Sequence, residues 1–201
     1  MKPSLSASSN DFDKLIQTSR FTDSKGKALS LEQGTSDALT LLQTTKEYGG
    51  NVYLIGNGGS AAVASHIYND FCNVGGLRAV TLHEPALLTC FSNDYGYEHA
   101  YSTMLEKTAR KNDLLIAISS SGQSKNIINA AIAMRARQAT VITLTGFSVN
   151  NPLRTIGELN YWVDSKSYGL VEIAHLFTLH HWSDCLAAES LEPNVVVNLA
   201  K

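Results

Sequence analysis

The chain has 201 residues, 44% of them hydrophobic and 17% charged, which predicts one compact domain with a sizeable core. Its formal net charge is −2, so it lacks the basic field that attracts nucleic acid or an anionic membrane surface. Three cysteines, Cys72, Cys90 and Cys185, follow no regular spacing. This argues against a disulfide framework or a cysteine zinc site and favours a reducing compartment. The N-terminus has no signal-peptide core and no apolar run reaches about 18 residues, so we expect a cytoplasmic protein without a membrane partner.

The first part of the chain predicts helices. Residues 1–10 are polar and serine-rich, which predicts a frayed end, and a short helix is expected over residues 12–21. A longer helix should begin after Ser30, whose hydroxyl caps it, and should end at Gly49-Gly50. Its inward-facing residues are predicted to be Leu39, Leu41 and Leu42.

From residue 51 onward, short apolar segments alternate with helical patterns. Strands are predicted at 52–55, 78–82, 113–118, 140–144 and 159–163. Helices are predicted at 60–73, from 85 to 93, at 97–110, after 124 to 137, and at 170–189. This alternation predicts an α/β fold with a doubly wound parallel sheet, in which ligands bind outside the carboxyl ends of the strands.

Two polar turns follow predicted strands at that edge. The first, GNGGS at residues 56–60, opens a helix, where free backbone N–H groups and the helix dipole favour an anion such as phosphate. The second, SSSGQS at residues 119–124, offers four hydroxyls to a single phosphate and has no lysine, which argues against a nucleoside triphosphate; a phosphomonoester fits better than a pyrophosphate. The alternative is that these serines only cap a helix and solvate a loop.

At this point the sequence resembles the SIS (sugar isomerase) domains and, more narrowly, the phosphoheptose isomerases. The resemblance rests on His66 and on five segments in order: GNGGSAA (56–62), SNDYGYE (92–98), DLLIAISSSGQS (113–124), VITLTG (141–146) and EIAHLFTLH (172–180). It implies a single SIS domain over residues 1–201 with a flavodoxin-like, five-stranded sheet. Residues 1–48 would then form an N-terminal helical segment that packs on the domain and on a homotetramer.

The resemblance also implies roles for particular residues. Phosphate would be held by Ser119, Ser120, Ser121 and Ser124. The sugar would be contacted by Asn57, Gly58, Gly59, Ser60, Asn93, Asp94 and Glu172. A divalent metal, usually zinc, would be held by His66, Asp70, Glu172 and His180, although the sequence leaves open whether it is required.

Two positions depart from the best-known family pattern: Asp70 stands where glutamate, the expected general base, is usual, and Glu172 where glutamine is usual. Two imidazoles and two carboxylates remain a good zinc set. Interconversion of a ketose and an aldose through an enediol needs a base at carbon and an acid at the carbonyl oxygen. We assign Asp70 as the base and His180 as the acid.

Helical spacing alone favours a different partner for Glu172. His175 follows it at i+3, whereas His180 lies eight residues away, a rise of about 12 Å along a straight helix. His175 is therefore kept in reserve. His66 and Asp70, at i and i+4, also form ordinary surface pairs in many helices, and Tyr95 and Tyr97 are expected to be aromatic core rather than pocket lining.

The predicted function is a sugar-phosphate aldose–ketose isomerase, most directly one that converts sedoheptulose 7-phosphate to D-glycero-D-manno-heptose 7-phosphate. A non-catalytic SIS module that binds a sugar phosphate as an effector is the alternative. Such a binder needs the serine turn but not His66, Asp70 and His180 together. An amino-sugar phosphate remains open as substrate.

Overall fold

A computed structural model describes residues 4–190. The remaining residues of the predicted domain, 1–3 and 191–201, lie outside the described part of the chain. The helices are α1 (Leu5–Thr18), α2 (Leu31–Glu47), α3 (Gly59–Asn73), α4 (Pro85–Tyr95), α5 (Ala100–Thr108), α6 (Lys125–Ala136) and α7 (Tyr168–Ser190). The strands are β1 (Arg20–Asp23), β2 (Ala28–Leu29), β3 (Val52–Ile55), β4 (Ala79–Thr81), β5 (Leu114–Ser119), β6 (Thr140–Thr145) and β7 (Leu159–Trp162).

The strands form one sheet in the order β2-β1-β7-β6-β5-β3-β4. The five strands from β3 to β7 are parallel, and their order along the sheet is that of a flavodoxin-like fold, which confirms the predicted class. The sheet nevertheless has seven strands rather than five. The two extra strands form a hairpin, and β1 pairs antiparallel with β7 at the edge of the sheet.

The N-terminal predictions were wrong in two respects. Helix α1 begins at Leu5, because Ser4 accepts a hydrogen bond from the N–H of Ala7 and caps a segment expected to be frayed. The helix ends at Thr18, so Phe21 lies in β1 instead of the predicted helix. Phe21 is 1% exposed and packs against Tyr161 and Trp182, contacts that local periodicity does not reveal.

Helices cover both faces of the sheet. One face packs against α1, α2, α3 and α7, and its core includes Leu42, Phe71 and Trp182. The other packs against α5 and α6, with Tyr101 and Met134 among its buried residues. Strands β3 and β5 are buried along their whole length, as expected for central parallel strands, so they hold the turns that follow them rigidly in place. Among the described helices, none is long and apolar enough to cross a membrane.

Candidate active site

The two polar turns meet at the carboxyl edge of the sheet because β3 and β5 are neighbouring parallel strands. Together with the start of α7 they line a cavity of about 340 Å³. Its lining residues are Asn57, Gly58, Gly59, Ser60, Ile118, Ser119, Ser120, Ser121, Ser124, Tyr168 and Glu172. The structure thus brings together nearly all residues that were predicted to contact phosphate and sugar.

The glycine turn brings the start of α3 against a carboxylate from α7. Gly58 has φ +54°, a conformation that glycine adopts easily, and no side chain caps the helix. The carboxylate of Glu172 packs so closely against Gly59 that a Cβ atom at this position would overlap it. The N-terminal end of α3 favours a negative charge, so in this chain the Glu172 carboxylate occupies the anion-friendly end of the glycine turn.

The serine turn keeps one hydroxyl free. Ser119 Oγ accepts a hydrogen bond from the N–H of Gly122 at 3.2 Å and donates to Ser124 Oγ at 3.3 Å. Ser121 Oγ accepts from the N–H of Gln123 at 3.2 Å. Ser120 Oγ is buried and has no hydrogen-bond partner among residues 4–190. A buried hydroxyl without a partner is costly, and Ser120 is among the residues that line the cavity, so we expect a bound ligand oxygen to be its partner.

A hydrogen-bond network that sequence reasoning missed joins the two turns. The amides of Asn57 and Asn126 bond to each other in both directions, at 2.9 and 2.8 Å, and Tyr97 donates its hydroxyl hydrogen to Asn57 Oδ1 at 2.8 Å. Tyr97 and Tyr95 are 50% and 46% exposed, so their assignment to the aromatic core was wrong. The only sequence signal for Asn126 is its place two residues after the serine turn.

His83, for which sequence reasoning found no functional context, also lies in this region. It follows β4, and its Nε2 accepts a hydrogen bond from the N–H of Gly56 at 3.4 Å, while Nδ1 lies 3.2 Å from Ser65 Oγ. Burial lowers the pKa of His83. The neutral ring therefore serves as an acceptor that steadies the beginning of the glycine turn.

A second group of polar side chains lies further along α3 and α7. His180 Nδ1 is 2.9 Å from Asp70 Oδ2, and His66 Nε2 is 3.9 Å from the same oxygen. The rings of His66 and His180 are 4.9 Å apart, and one ligand atom from each of the three residues falls within 4.8 Å of the others. This is a compact set of two imidazoles and a carboxylate, of the kind that binds zinc with one coordination position left open.

Helical spacing alone did not decide whether His175 or His180 belongs to the site, but the structure distinguishes them. His175 is fully buried, and its Nε2–H donates to the carbonyl oxygen of Thr145 at 3.1 Å. His180 faces Asp70 instead. Five residues of helix rotate a side chain by about 140°, so when one of these histidines points into the core the other points away from it.

Glu172 lines the cavity but lies outside the predicted metal group, and Asn93 and Asp94 lie outside both. Glu172 lies against Gly59 and is not part of the His66–Asp70–His180 group. Asn93 and Asp94 lie near the end of α4, where Asn93 donates to Asp94 Oδ1, and neither lines the cavity of the polar turns.

Comparison with known proteins shows which family this chain is similar to. The SIS domain model matches residues 27–146, which is more than half of the chain. The phosphoheptose isomerase of Sodalis glossinidius is 38% identical over 143 residues, covering 68% of this chain and 72% of that protein. That of Pectobacterium atrosepticum is 40% identical over 119 residues, covering 57% and 62%. The solved structure of phosphoheptose isomerase GmhA from Neisseria gonorrhoeae superimposes with a TM-score of 0.77 at 28% identity, covering 92% and 97% of the two chains.

The chain belongs to the phosphoheptose isomerase family of SIS domains. The region matched by the SIS domain model includes both polar turns, His66 and Asp70. Glu172 and His180 lie beyond it, on α7. In this chain, α7 completes the candidate site through two contacts: Glu172 against Gly59, and His180 against Asp70.

Proposed function

We propose that this protein is a phosphoheptose isomerase that converts sedoheptulose 7-phosphate to D-glycero-D-manno-heptose 7-phosphate. The observation that carries the proposal is the pairing of α3 and α7, which link the serine-turn cavity to the group formed by His66, Asp70 and His180. The similar proteins named phosphoheptose isomerase support the same activity.

The separation of the two groups suits a seven-carbon substrate. From Gly59, at the cavity, to His66 the helix advances seven residues, or about 10 Å. In sedoheptulose 7-phosphate the phosphate and the reacting carbons C1 and C2 are at opposite ends of the carbon chain. A phosphate held by the serine turn therefore leaves the other end of an extended sugar free to reach Asp70 and His180.

The proton transfers follow from this placement. Asp70 removes a proton from C1 of the ketose, while His180 donates a proton to the carbonyl oxygen on C2, and an enediol forms. Asp70 then delivers a proton to C2 as His180 takes the proton from the oxygen on C1, which yields the aldose and restores both groups. The 2.9 Å contact between them keeps the two side chains on the same part of the substrate.

We propose zinc as the metal of this site, held by His66, Asp70 and His180. The donor set fits because nitrogen and oxygen ligands in this number are typical of catalytic zinc. When bound, zinc supplies Lewis-acid stabilisation of negative charge on the sugar oxygens. The fourth ligand implied by the family resemblance, Glu172, packs at Gly59 in this chain and is more directly placed to contact the sugar.

Zinc binding should depend on His66. We expect calorimetry on the metal-free protein to show one zinc per chain, with affinity reduced by more than about 100-fold in His66→Gln, because losing a direct nitrogen ligand costs more than losing a group that only orients a ligand. His181→Gln is the matched control, since His181 lies next to His180 but outside the cluster. Equal zinc affinity in both variants would contradict the assignment.

Ser120→Ala should weaken substrate binding without harming the fold. We expect affinity for the sugar phosphate to fall about 10- to 150-fold, because a hydrogen bond to a charged phosphate is worth about 1.5–3 kcal/mol. The melting temperature of the ligand-free protein should stay the same or rise, since the deleted hydroxyl has no partner in the described chain. Ser36→Ala, on α2 and outside the lining of this cavity, provides the control. Unchanged affinity in Ser120→Ala would remove this hydroxyl from the phosphate site.

The activity itself is tested by mixing the purified protein with sedoheptulose 7-phosphate and following both sugars by NMR. We expect conversion to the aldose phosphate. Absence of product with and without added zinc, combined with retained binding of the sugar phosphate, would instead support a non-catalytic binding module, a reading that the isomerase relatives do not favour.

We further propose that residues 1–201 form one SIS domain in a cytoplasmic homotetramer that serves heptose and lipopolysaccharide synthesis. Exposed apolar side chains on α7, Ile173 and Phe177 at 54% and 53% exposure, support association between chains. Residues 1–48 would pack on the domain and on a neighbouring subunit, and the exposed Asn93 and Asp94 would then reach a neighbour's sugar site. Light scattering tests the assembly, and a monomer at working concentration would exclude it.

A further inference from the structure

A second cavity lies at the opposite edge of the sheet from the candidate active site. Its volume is about 630 Å³, against about 340 Å³ for the cavity of the polar turns. It is bordered by residues that precede β3, β4 and β5 and by the C-terminal ends of α5 and α6. The lining residues are Gly49, Asn51, Tyr53, Arg78, Lys107, Thr108, Ala109, Arg110, Asp113 and Arg137.

The charge of this cavity is strongly positive. Arg78, Lys107, Arg110 and Arg137 contribute four positive charges, and Asp113 is the single acidic residue in the lining, which leaves a net charge of +3. Asp113 is 2% exposed, and its two oxygens accept hydrogen bonds from the backbone N–H groups of Asn51 and Arg110 at 2.7 Å each. Its charge is thus already held by backbone donors.

The four cations are not neutralised by other side chains. None of them takes part in an ion pair within residues 4–190. Arg78 donates to the amide oxygen of Asn51, Arg137 donates to the carbonyl oxygen of Glu106, and Lys107 lies over the ring of Tyr95. These neutral partners orient the cations without cancelling their charge.

Helix dipoles explain only part of this arrangement. Lys107 and Arg137 lie at the C-terminal ends of α5 and α6, where cations are favoured, and two helix ends together contribute about one negative charge. A charge of about +2 therefore remains at the cavity of a protein whose formal net charge is −2. Arg78 and Arg110 fall outside both helices, so the dipoles do not account for them.

We propose that this basic cavity binds a small polyanion that carries a diphosphate group. The cations approach from three separate segments, and a diphosphate, with two charged groups and more oxygens than a single phosphate, can engage more of them at once. The two arginines in particular offer planar forks of donors that suit phosphate oxygens. The site is independent of the proposed isomerase activity, because it uses none of the residues placed in that reaction.

Calorimetric titration of the full chain with inorganic pyrophosphate tests this site. We expect two classes of site in the wild type: a weaker one at the serine turn, which suits a phosphomonoester better than a pyrophosphate, and a tighter one in the basic cavity. Arg110→Gln should weaken the second class about tenfold, because a charged hydrogen-bond donor is lost. The side chain of Arg110 makes no hydrogen bond or ion pair with described residues, so this variant should fold normally. Arg78→Gln provides a second variant with the same expected result.

Two controls make the outcome decisive. Lys14→Gln removes an exposed cation on α1, far from the cavity in the sequence, and should leave both classes of site intact. Ser120→Ala should weaken only the class at the serine turn. The proposal is overturned if pyrophosphate binds to a single class that is lost in Ser120→Ala, or if neither arginine variant changes its binding. Neither result depends on whether the protein isomerises a sugar.

Discussion

Asp70→Asn should reduce kcat for the isomerisation about 10³-fold while leaving sugar-phosphate binding nearly intact. The amide has the shape of the carboxylate but cannot take a proton from C1, and positioned acid–base groups contribute about 10²- to 10⁴-fold to such reactions. Binding should persist because the serine turn does not contact Asp70 within this chain. The measurement is single-turnover NMR or a coupled assay, together with calorimetry for affinity.

The control for this variant is Asp184→Asn, which makes the same change at an exposed position on α7. It should retain normal activity. A fully active Asp70→Asn variant would remove Asp70 from the role of base and would leave zinc binding as the remaining reason for a carboxylate beside His66 and His180. A loss of sugar-phosphate affinity as large as the loss of kcat would show that Asp70 acts in binding.

The stability of the protein should fall steeply as the pH drops from 6.5 to 4, and His175 should cause a large part of the fall. Burial lowers the pKa of this fully buried histidine to about 4, and its Nδ1 has no partner among the described residues. In the unfolded chain the same ring titrates near 6.5. Between these two values the unfolded state binds the proton and the folded state does not.

The direction in which stability changes with pH follows from this difference in protonation. The stabilisation is fully present above pH 6.5 and is lost as the pH falls toward 4, where unfolding gains a proton. A separation of two to three pKa units corresponds to about 3 kcal/mol in the free energy of unfolding. In His175→Gln the amide keeps a donor for Thr145 but does not titrate, so this contribution should vanish.

Denaturant titrations of the wild type and His175→Gln at several pH values measure the effect. The stability advantage of the wild type should shrink by about 3 kcal/mol between pH 6.5 and 4, since the other titrating groups are common to both proteins. Parallel stability curves would contradict the assignment, because they would show that His175 titrates with the same pKa in the folded and unfolded chains. His181→Gln, a change at an exposed histidine, should follow the wild type.

Local sequence patterns were sufficient for the framework that positions the site. The apolar runs that became β3 and β5 are each followed by a turn of glycines or serines, and each turn opens a helix. Ser30 caps α2 as predicted, with its hydroxyl accepting from the N–H of Gln33. These features involve residues a few positions apart, so backbone hydrogen bonding and side-chain periodicity within one segment encode them.

The N-terminal hairpin is an element that local sequence patterns did not predict. The helix predicted over residues 12–21 included Phe21, although α1 ends at Thr18. The strand conformation of Phe21 comes from pairing with β7, whose partner residue Tyr161 is 140 positions away. Pairing across such a distance replaces local preference because it satisfies backbone groups and buries a large aromatic ring at the same time.

The sequence by itself determined that two anion-friendly turns share the carboxyl edge of a parallel sheet, because strand, turn and helix signals are short-range. Only the tertiary structure decided which side chains meet there: Asn57 with Asn126, Asp70 with His180, and Glu172 with Gly59. The choice of His180 over His175 depends on how α7 is rotated about its axis. That rotation is set by burying residues such as Leu179 and Trp182 against the rest of the core, which no single segment of the sequence specifies.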